Sequence, residues 1–490
     1  MSALDQETES AIEAVFAERI ADGVSPGSYV AVFDRDGIDF ERGYGVAALG
    51  GSAPTADTLF RIASCTKSFI AATLLILRDA GRLDLDTPID EYVPEFQPEM
   101  PAGSVVRPTV RQAMTMSTGL PTDDPWADRQ ESITVDEFTA MLRAGVRCAT
   151  VPGTAFEYSN LGYALLGQVI ERVTGEPFTQ AVTELLLQPL GLGAVFELPA
   201  AQGAAGPSGA RGASGAPGIA AIGYRSGIDG FVELPFTGPG VFSSIGGLFA
   251  SARTLIGWVR WLDAAWTSEA DGPGSPLSAA SRREMQQLHR VAPPRKPVEG
   301  VPSPEVLGYG FGLFVEHDAE FGPIVSHSGG YPGFSAHMRW NPRSGIGVVA
   351  FENAGYAAVS VPAGAALRLV LADDAEPLDV RPWRETLVAA MTATGLVTHW
   401  DDDIADAIFA MNVALDRPYA ERAALIGAAV DSIGGFTDEP SDTGAPLCDS
   451  PDHLVWFMQG RRGRLRCEVR MGPTLPLRVQ TFAVTAEPAG

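Results

Sequence analysis

The chain has 490 residues, 46% hydrophobic and 19% charged, with 60 acidic against 35 basic residues and a net charge of −25. That length holds a sizeable core and more than one structural unit, and the acidity excludes phosphate backbones and anionic membrane surfaces as ready partners. No apolar run approaches the roughly 20 residues that span a bilayer, and the acidic start lacks the basic and apolar stretches of a secretory leader, so a cytoplasmic protein with no nucleic-acid or membrane partner is expected.

Residues 5–21 place Ile12, Val15, Phe16 and Ile20 on one helical face. Ser28–Phe33 and Ile38–Val46 flank Asp34-Arg35-Asp36-Gly37, the pattern of a β-hairpin. At Ser64 a mostly apolar helix begins that Gly81 can end. A helix- and loop-rich stretch then runs to about residue 265, interrupted at 199–221 by a segment of Ala, Gly, Pro and Ser that has the composition of a flexible insertion. From residue 308 the period returns to two, with strands expected at Tyr309–Glu316, Pro323–Ser328, Phe334–Trp340 and Ile346–Phe351.

A hairpin at one end and a meander at the other imply one sheet built from both ends of a domain spanning 1–372. The expected fold class is therefore α/β (α+β), an antiparallel sheet flanked by helices, with an inserted all-helical lobe at roughly 82–265. Residues 376–490 read as a small C-terminal α+β unit, with helices at 382–394, 402–415 and 418–432 and strands at 453–459, 463–470 and 475–486. Its hairpin carries Arg461, Arg462, Arg464, Arg466 and Arg470, which suit a solvated edge that discourages strand pairing or a surface that docks on the acidic main domain.

Only two of the 35 basic residues are lysines, Lys67 and Lys296. Arginine does not give up its proton in proteins, whereas a desolvated lysine does, so the two positions stand out. Lys296 lies in Pro293-Pro294-Arg295-Lys296-Pro297, a loop composition. Lys67 follows Ser64 by three residues, which on a helix sets both side chains on one face one turn apart. A serine hydroxyl becomes a nucleophile when a neighbour takes its proton, and a lysine neutralised by burial is such a neighbour. A serine cap beside a snorkelling lysine accounts for the same spacing.

Two further groups carry chemistry. Tyr158 and Asn160 stand in Tyr158-Ser159-Asn160, where a phenol lowered by an adjoining ammonium can shuttle protons and an amide can orient a lysine and a carbonyl together, while a buried tyrosine beside a helix-capping asparagine accounts for the same residues. His327, Gly329 and Gly330 stand in His327-Ser328-Gly329-Gly330 on a strand, where bare backbone admits a substrate closely and offers N–H donors. Asp123, Asp124 and Trp126 follow Ser117-Thr118-Gly119-Leu120. Two carboxylates and an aromatic ring suit a substrate amine, and a turn with an Asx cap accounts for them equally. The four cysteines and His289, His317, His337, His399 and His453 show no ligand spacing, so neither metal nor cofactor is expected.

Taken together, Phe60-Arg61-Ile62-Ala63-Ser64-Cys65-Thr66-Lys67, Tyr158-Ser159-Asn160 and His327-Ser328-Gly329 resemble, in that order, the serine β-lactamase and penicillin-binding-protein superfamily. The similarity is greatest to its class C β-lactamase-like branch, with the family VIII carboxylesterases and D-aminopeptidases. Gly81-Arg82-Leu83-Asp84-Leu85-Asp86-Thr87-Pro88 and Gly246-Gly247-Leu248-Phe249-Ala250-Ser251 support it, over about residues 8–370.

The resemblance implies a β-lactamase-like fold and an acyl-enzyme on Ser64, with Lys67 its activating partner. Tyr158 would relay protons to the leaving group and the deacylating water, and Asn160 would orient the substrate. The backbone N–H groups of Ser64 and Gly330 would form the oxyanion hole. Whether Lys67 or Tyr158 is the base is contested across the superfamily, and both stay open. Members that act on β-lactams or peptidoglycan usually have a lysine where His327 stands, and a mostly neutral imidazole there disfavours a substrate carboxylate. The expectation is a carboxylesterase acting on a neutral or cationic small molecule, with an amidase or D-stereospecific aminopeptidase, a weak β-lactamase and a non-catalytic binder as alternatives.

Overall fold

A computed structural model describes residues 4–101, 103–198, 210–211, 217–218, 220–267, 274–294, 303–373, 380–437 and 446–488. The insertion at 199–221 falls almost entirely outside the described residues, and Lys296 falls outside them as well. The chain divides into two units, Met1–Ala375 and Glu376–Gly490.

The first unit is organised by an eight-stranded antiparallel sheet. Its strands are β1 (Gly27–Phe33), β2 (Ile38–Gly45), β3 (Arg290–Val291), β4 (Val306–Tyr309), β5 (Phe314–Asp318), β6 (Gly322–Tyr331), β7 (Phe334–Trp340) and β8 (Gly347–Glu352). They lie in the order β2-β1-β8-β7-β6-β5-β4-β3, so the N-terminal hairpin meets the meander where Ser28 faces Glu352. Every residue of β1 is buried because both faces are covered. Val30 and Val32 pack with Ile12 and Phe16 of α1 (Gln6–Ala21), while Tyr29, Ala31 and Phe33 face the core that holds Phe69 and Leu74 of α2 (Thr66–Asp79).

Several boundaries differ from the sequence expectation. The run Tyr309–Glu316 is two strands, because Gly310-Phe311-Gly312-Leu313 turns the chain between β4 and β5. Alternation continues through that turn and hides it. Gly312 has φ +71°, and a Cβ there would lie 2.6 Å from the Lys67 carbonyl oxygen, so the turn rests on the first turn of α2. The α-helix starts at Thr66, and Ser64 sits just before it in a 3-10 turn, Ala63–Cys65.

The stretch 82–265 is not helical throughout. It contains α3 (Asn160–Thr174), but also a hairpin, Tyr224–Gly227 with Gly230–Glu233, whose strands are too short and polar to set up a period. Phe249–Ala250 pairs with Phe60–Arg61 directly before the Ser64 turn. Its last helix, α4 (Ala252–Asp263), packs on β1, β7 and β8, which makes it part of the sheet's covering layer.

The second unit joins α5 (Arg384–Thr398) and α6 (Tyr419–Ser432) to a three-stranded sheet of β9 (His453–Gly460), β10 (Gly463–Met471) and β11 (Val479–Pro488), in that order. The arginine-bearing β10 is therefore the central strand and not an edge. Leu465, Cys467 and Val469 enter the core, while the intervening arginines pair with carboxylates: Arg464 with Glu487 at 2.7 Å and Arg466 with Glu468 at 2.6 Å. Among the described residues no helix is long and apolar enough to cross a membrane, and the four cysteines are free.

Candidate active site

Ser64 and Lys67 are both buried, at 8% and 0% exposure. The Ser64 turn is set by Ala63, whose φ of +48° is unusual for a residue with a side chain. Lys67 Nζ lies 2.9 Å from Ser64 Oγ and donates to the Ile245 carbonyl at 2.9 Å. It stands over the rings of Tyr158 and Tyr163, 5.1 and 5.6 Å from their centroids, and forms no ion pair among the described residues. Burial pushes the ammonium down to about 8, against the pull of Asp124, Asp128 and Asp123, which favour the charge. Nζ donates to both Ser64 Oγ and the Ile245 carbonyl, and on losing a proton it can accept from the Ser64 hydroxyl instead.

Tyr158 behaves opposite to the expected lowering. Burial first, then Asp124, hold its phenol well above the ordinary value, although its contact with Ser64 works the other way. Tyr158 therefore stays protonated and available as a donor.

Asn160 opens α3, and two carboxylates hold it there. Asp123 accepts the backbone N–H groups of Asn160 at 2.6 Å and Leu161 at 2.8 Å, so its carboxylate is spent on the helix N-terminus. The Asn160 side-chain amide donates to Asp124 at 2.6 Å. Asp124 thus ties Asn160 in place and also faces Lys67 electrostatically.

His327 is 1% exposed on β6. Its Nδ1 lies 2.7 Å from the Ser328 carbonyl, which only accepts, so Nδ1 carries a proton. Its Nε2 lies 2.9 Å from Tyr309 Oη. The pairing of β5 with β6 ends where Phe314 faces Ser326, and beyond it β6 passes the Ser64 turn, with Cys65 Sγ 3.3 Å from the His327 carbonyl. The glycines permit that approach. A Cβ on Gly329 would meet the Ile62 oxygen at 2.4 Å and Ala63 Cβ at 2.8 Å, and one on Gly330 would meet the Tyr356 ring at 2.9 Å.

These elements enclose a cleft of about 560 Å³. Ser64, Tyr158, Asp124, His327 and Gly330 line it, and Asn160 and Gly329 support it from behind without lining it. Trp126 does not line it. It is 43% exposed and packs edge-on against Phe242, 5.6 Å between centroids. The structure adds lining residues that the sequence did not single out: Asp128, Phe156, Phe314, Glu316, Arg339 and Tyr356. Arg339 and Glu316 form an ion pair, and Tyr356 Oη donates to Asp128 at 2.6 Å. These residues come from separate strands and loops, and no local pattern links them. Among the described residues no group of three or more His, Cys, Asp or Glu is placed to hold a metal ion.

Residues 12–373 match the Beta-lactamase family. Protein flp of Staphylococcus aureus (strain MW2) is 24% identical over 358 residues, which cover 71% of this chain and 64% of that one. The chain thus spans less than two thirds of the length of that relative. Esterase EstB of Burkholderia gladioli is 33% identical over 197 residues, covering 37% of this chain and 49% of the esterase. Among solved structures, the octameric penicillin-binding protein homologue from Pyrococcus abyssi superposes with a TM-score of 0.60 at 20% identity, covering 97% of this chain and 99% of that one.

Proposed function

The chain belongs to the beta-lactamase family of hydrolases, and on that premise we propose that it is a serine carboxylesterase working through an acyl-enzyme on Ser64. The observation that carries this reading is the buried Lys67 amine, 2.9 Å from Ser64 Oγ and held down to about 8. At pH 7 about a tenth of such amines are neutral, against a negligible fraction of solvated lysines.

Neutral Lys67 takes the Ser64 proton as Oγ attacks the ester carbonyl. The backbone N–H groups of Ser64 and Gly330 receive the negative oxygen. Tyr158, kept as a phenol, gives its proton to the departing alkoxide and regains one from the Lys67 ammonium. In deacylation the relay runs in reverse: a water loses a proton to the Tyr158–Lys67 pair, its oxygen attacks the acyl carbon, and Ser64 leaves with the proton restored. A histidine at position 327, where relatives that take carboxylates usually carry a lysine, supports an ester without an obligatory carboxylate. EstB is named as an esterase, which supports the same class.

A second reading rests on Asp124 and Asp128, both in the cleft wall. Two carboxylates beside the scissile bond favour a substrate with a free amine, as in an amide of a D-amino acid. We place the substrate among neutral or cationic small molecules, with no role for nucleic acid or membrane.

The test is a fluorophosphonate probe followed by intact-mass measurement, together with p-nitrophenyl esters and D-aminoacyl anilides. The reading expects one adduct, absent in Ser64→Ala, and faster turnover of esters. No adduct on the wild-type chain defeats it. Preference for free-amine anilides, lost in Asp124→Asn, selects the amidase.

A further inference from the structure

A second cavity, of about 740 Å³, adjoins the Ser64 cleft and shares only Asp128 and Tyr356 with it. Those two side chains form the 2.6 Å hydrogen bond already described, so that bond is the partition between the spaces. The size suits a small-molecule site. Ile133, Leu234, Phe236 and Phe334 give the second cavity apolar walls. Its charges balance in number: Arg61, paired with Glu131, lines it with Arg129 and Arg225 and with Asp128 and Glu137. An apolar, uncharged occupant fits such a space best.

Its position relates it to the reaction. Gly330, in the cleft wall, abuts the Tyr356 ring, which a Cβ there would meet at 2.9 Å, and Tyr331, in the second cavity's wall, directly follows it, so the partition stands beside Gly330. Tyr158 lines the cleft and not this cavity. Since the leaving group takes its proton from Tyr158, it occupies the cleft, and the acyl group extends the other way, past Tyr356. Tyr356 is 50% exposed and has room to turn aside.

We propose that the second cavity is an acyl chamber that receives an extended apolar acyl chain, with the Tyr356–Asp128 pair as its doorway. The proposal rests on the acyl-enzyme reading, and its test separates the two. Wild-type kcat/KM is measured for p-nitrophenyl acetate, butyrate, hexanoate and octanoate. Each methylene that enters the chamber raises it about fourfold, the equivalent of burying one CH₂. Leu234→Trp fills the chamber from one wall and Ile133→Trp from another. In whichever variant keeps the wild-type circular dichroism, the octanoate-to-acetate ratio falls at least tenfold. A flat series in the wild type, or an unchanged ratio in a folded variant, overturns the chamber.

Methyl octanoate binding to Ser64→Ala, followed by calorimetry, needs no turnover. Binding that Leu234→Trp or Ile133→Trp removes supports the chamber even if Ser64 takes no probe and the esterase reading fails. No methyl octanoate binding, with Ser64 labelled and esters turned over, overturns the chamber and leaves the esterase reading standing.

Discussion

Two buried cations flank Ser64 six residues apart, and the protein keeps them in opposite ways. Arg61, 2% exposed, is paired with Glu131, itself 1% exposed, and lies between the rings of Phe249 and Tyr331, 4.6 and 4.9 Å from their centroids. Lys67, 0% exposed, has two tyrosine rings and a carbonyl but no ion pair among the described residues. The guanidinium stays charged and acts as a strut between the Ser64 strand and the loop at Glu131. The lysine is lowered to about 8 by burial and stands 2.9 Å from a serine hydroxyl. Burial by itself does not make a base. It lowers a cation where the group can lose its proton and where desolvation outweighs the pull of the nearby anions.

The largest effect expected from breaking this contrast is at Lys67. Lys67→Arg substitutes a permanent cation and should lower kcat/KM by about a thousandfold or more, with the double variant carrying Ser64→Ala no worse than either single one. An arginine variant that keeps a tenth of the activity would move the base elsewhere. On the other side, Glu131→Gln leaves Arg61 charged and unpaired in the core, and should cost about 3–5 kcal/mol in urea unfolding of the first unit. Adding Arg61→Met should return much of that loss, and a cost under about 1 kcal/mol would mean that water already reaches the pair.

A pH profile sharpens the contrast. Activity should climb as Lys67 loses its proton, reach half height near 8 and level off above it. Asp124 is the strongest of the carboxylates that hold the Lys67 charge, so Asp124→Asn should move the midpoint to lower pH. A midpoint that rises or stays put would exclude Lys67 as the titrating group. The smallest effect belongs to the paired, half-exposed arginines of β10. Arg466→Ala, which breaks the 2.6 Å pair with Glu468, should change the stability of the second unit by no more than about 1 kcal/mol in thermal or urea unfolding.

Much of the site was legible because its members are local in sequence. Three residues separate Ser64 from Lys67, and helical geometry places them together even though the first sits in a 3-10 turn and not in the helix proper. The double glycine after His327 announced a close backbone approach, and Gly329 packs on Ile62 and Ala63. Asp123 and Asp124 illustrate the limit. The Asx-cap reading describes neither: Asp123 makes no side-chain cap bond in its own turn and accepts instead from the distant N-terminus of α3, whereas Asp124 lines the cleft and grips Asn160, and nothing in the dipeptide separates the two roles. The placement of β10 at the centre of its sheet, and the turn hidden in Tyr309–Glu316, were likewise invisible to local pattern.

The sequence by itself determined the sheet joined from both ends of the first unit, the pairing of a serine with a scarce lysine, and the three motifs with their order, because periodicity and spacing are written in neighbouring residues. Only the tertiary structure decided the charge states. Lys67 is lowered and Tyr158 raised by burial under elements drawn from distant parts of the chain, and Tyr309 and the Ser328 carbonyl meet the two ring nitrogens of His327. The tertiary structure also decided that Trp126 faces away and that Tyr356, nearly 300 residues after Ser64, closes the cleft. Desolvation and enclosure depend on what packs around a group, and the packing partners are fixed only when the chain has folded.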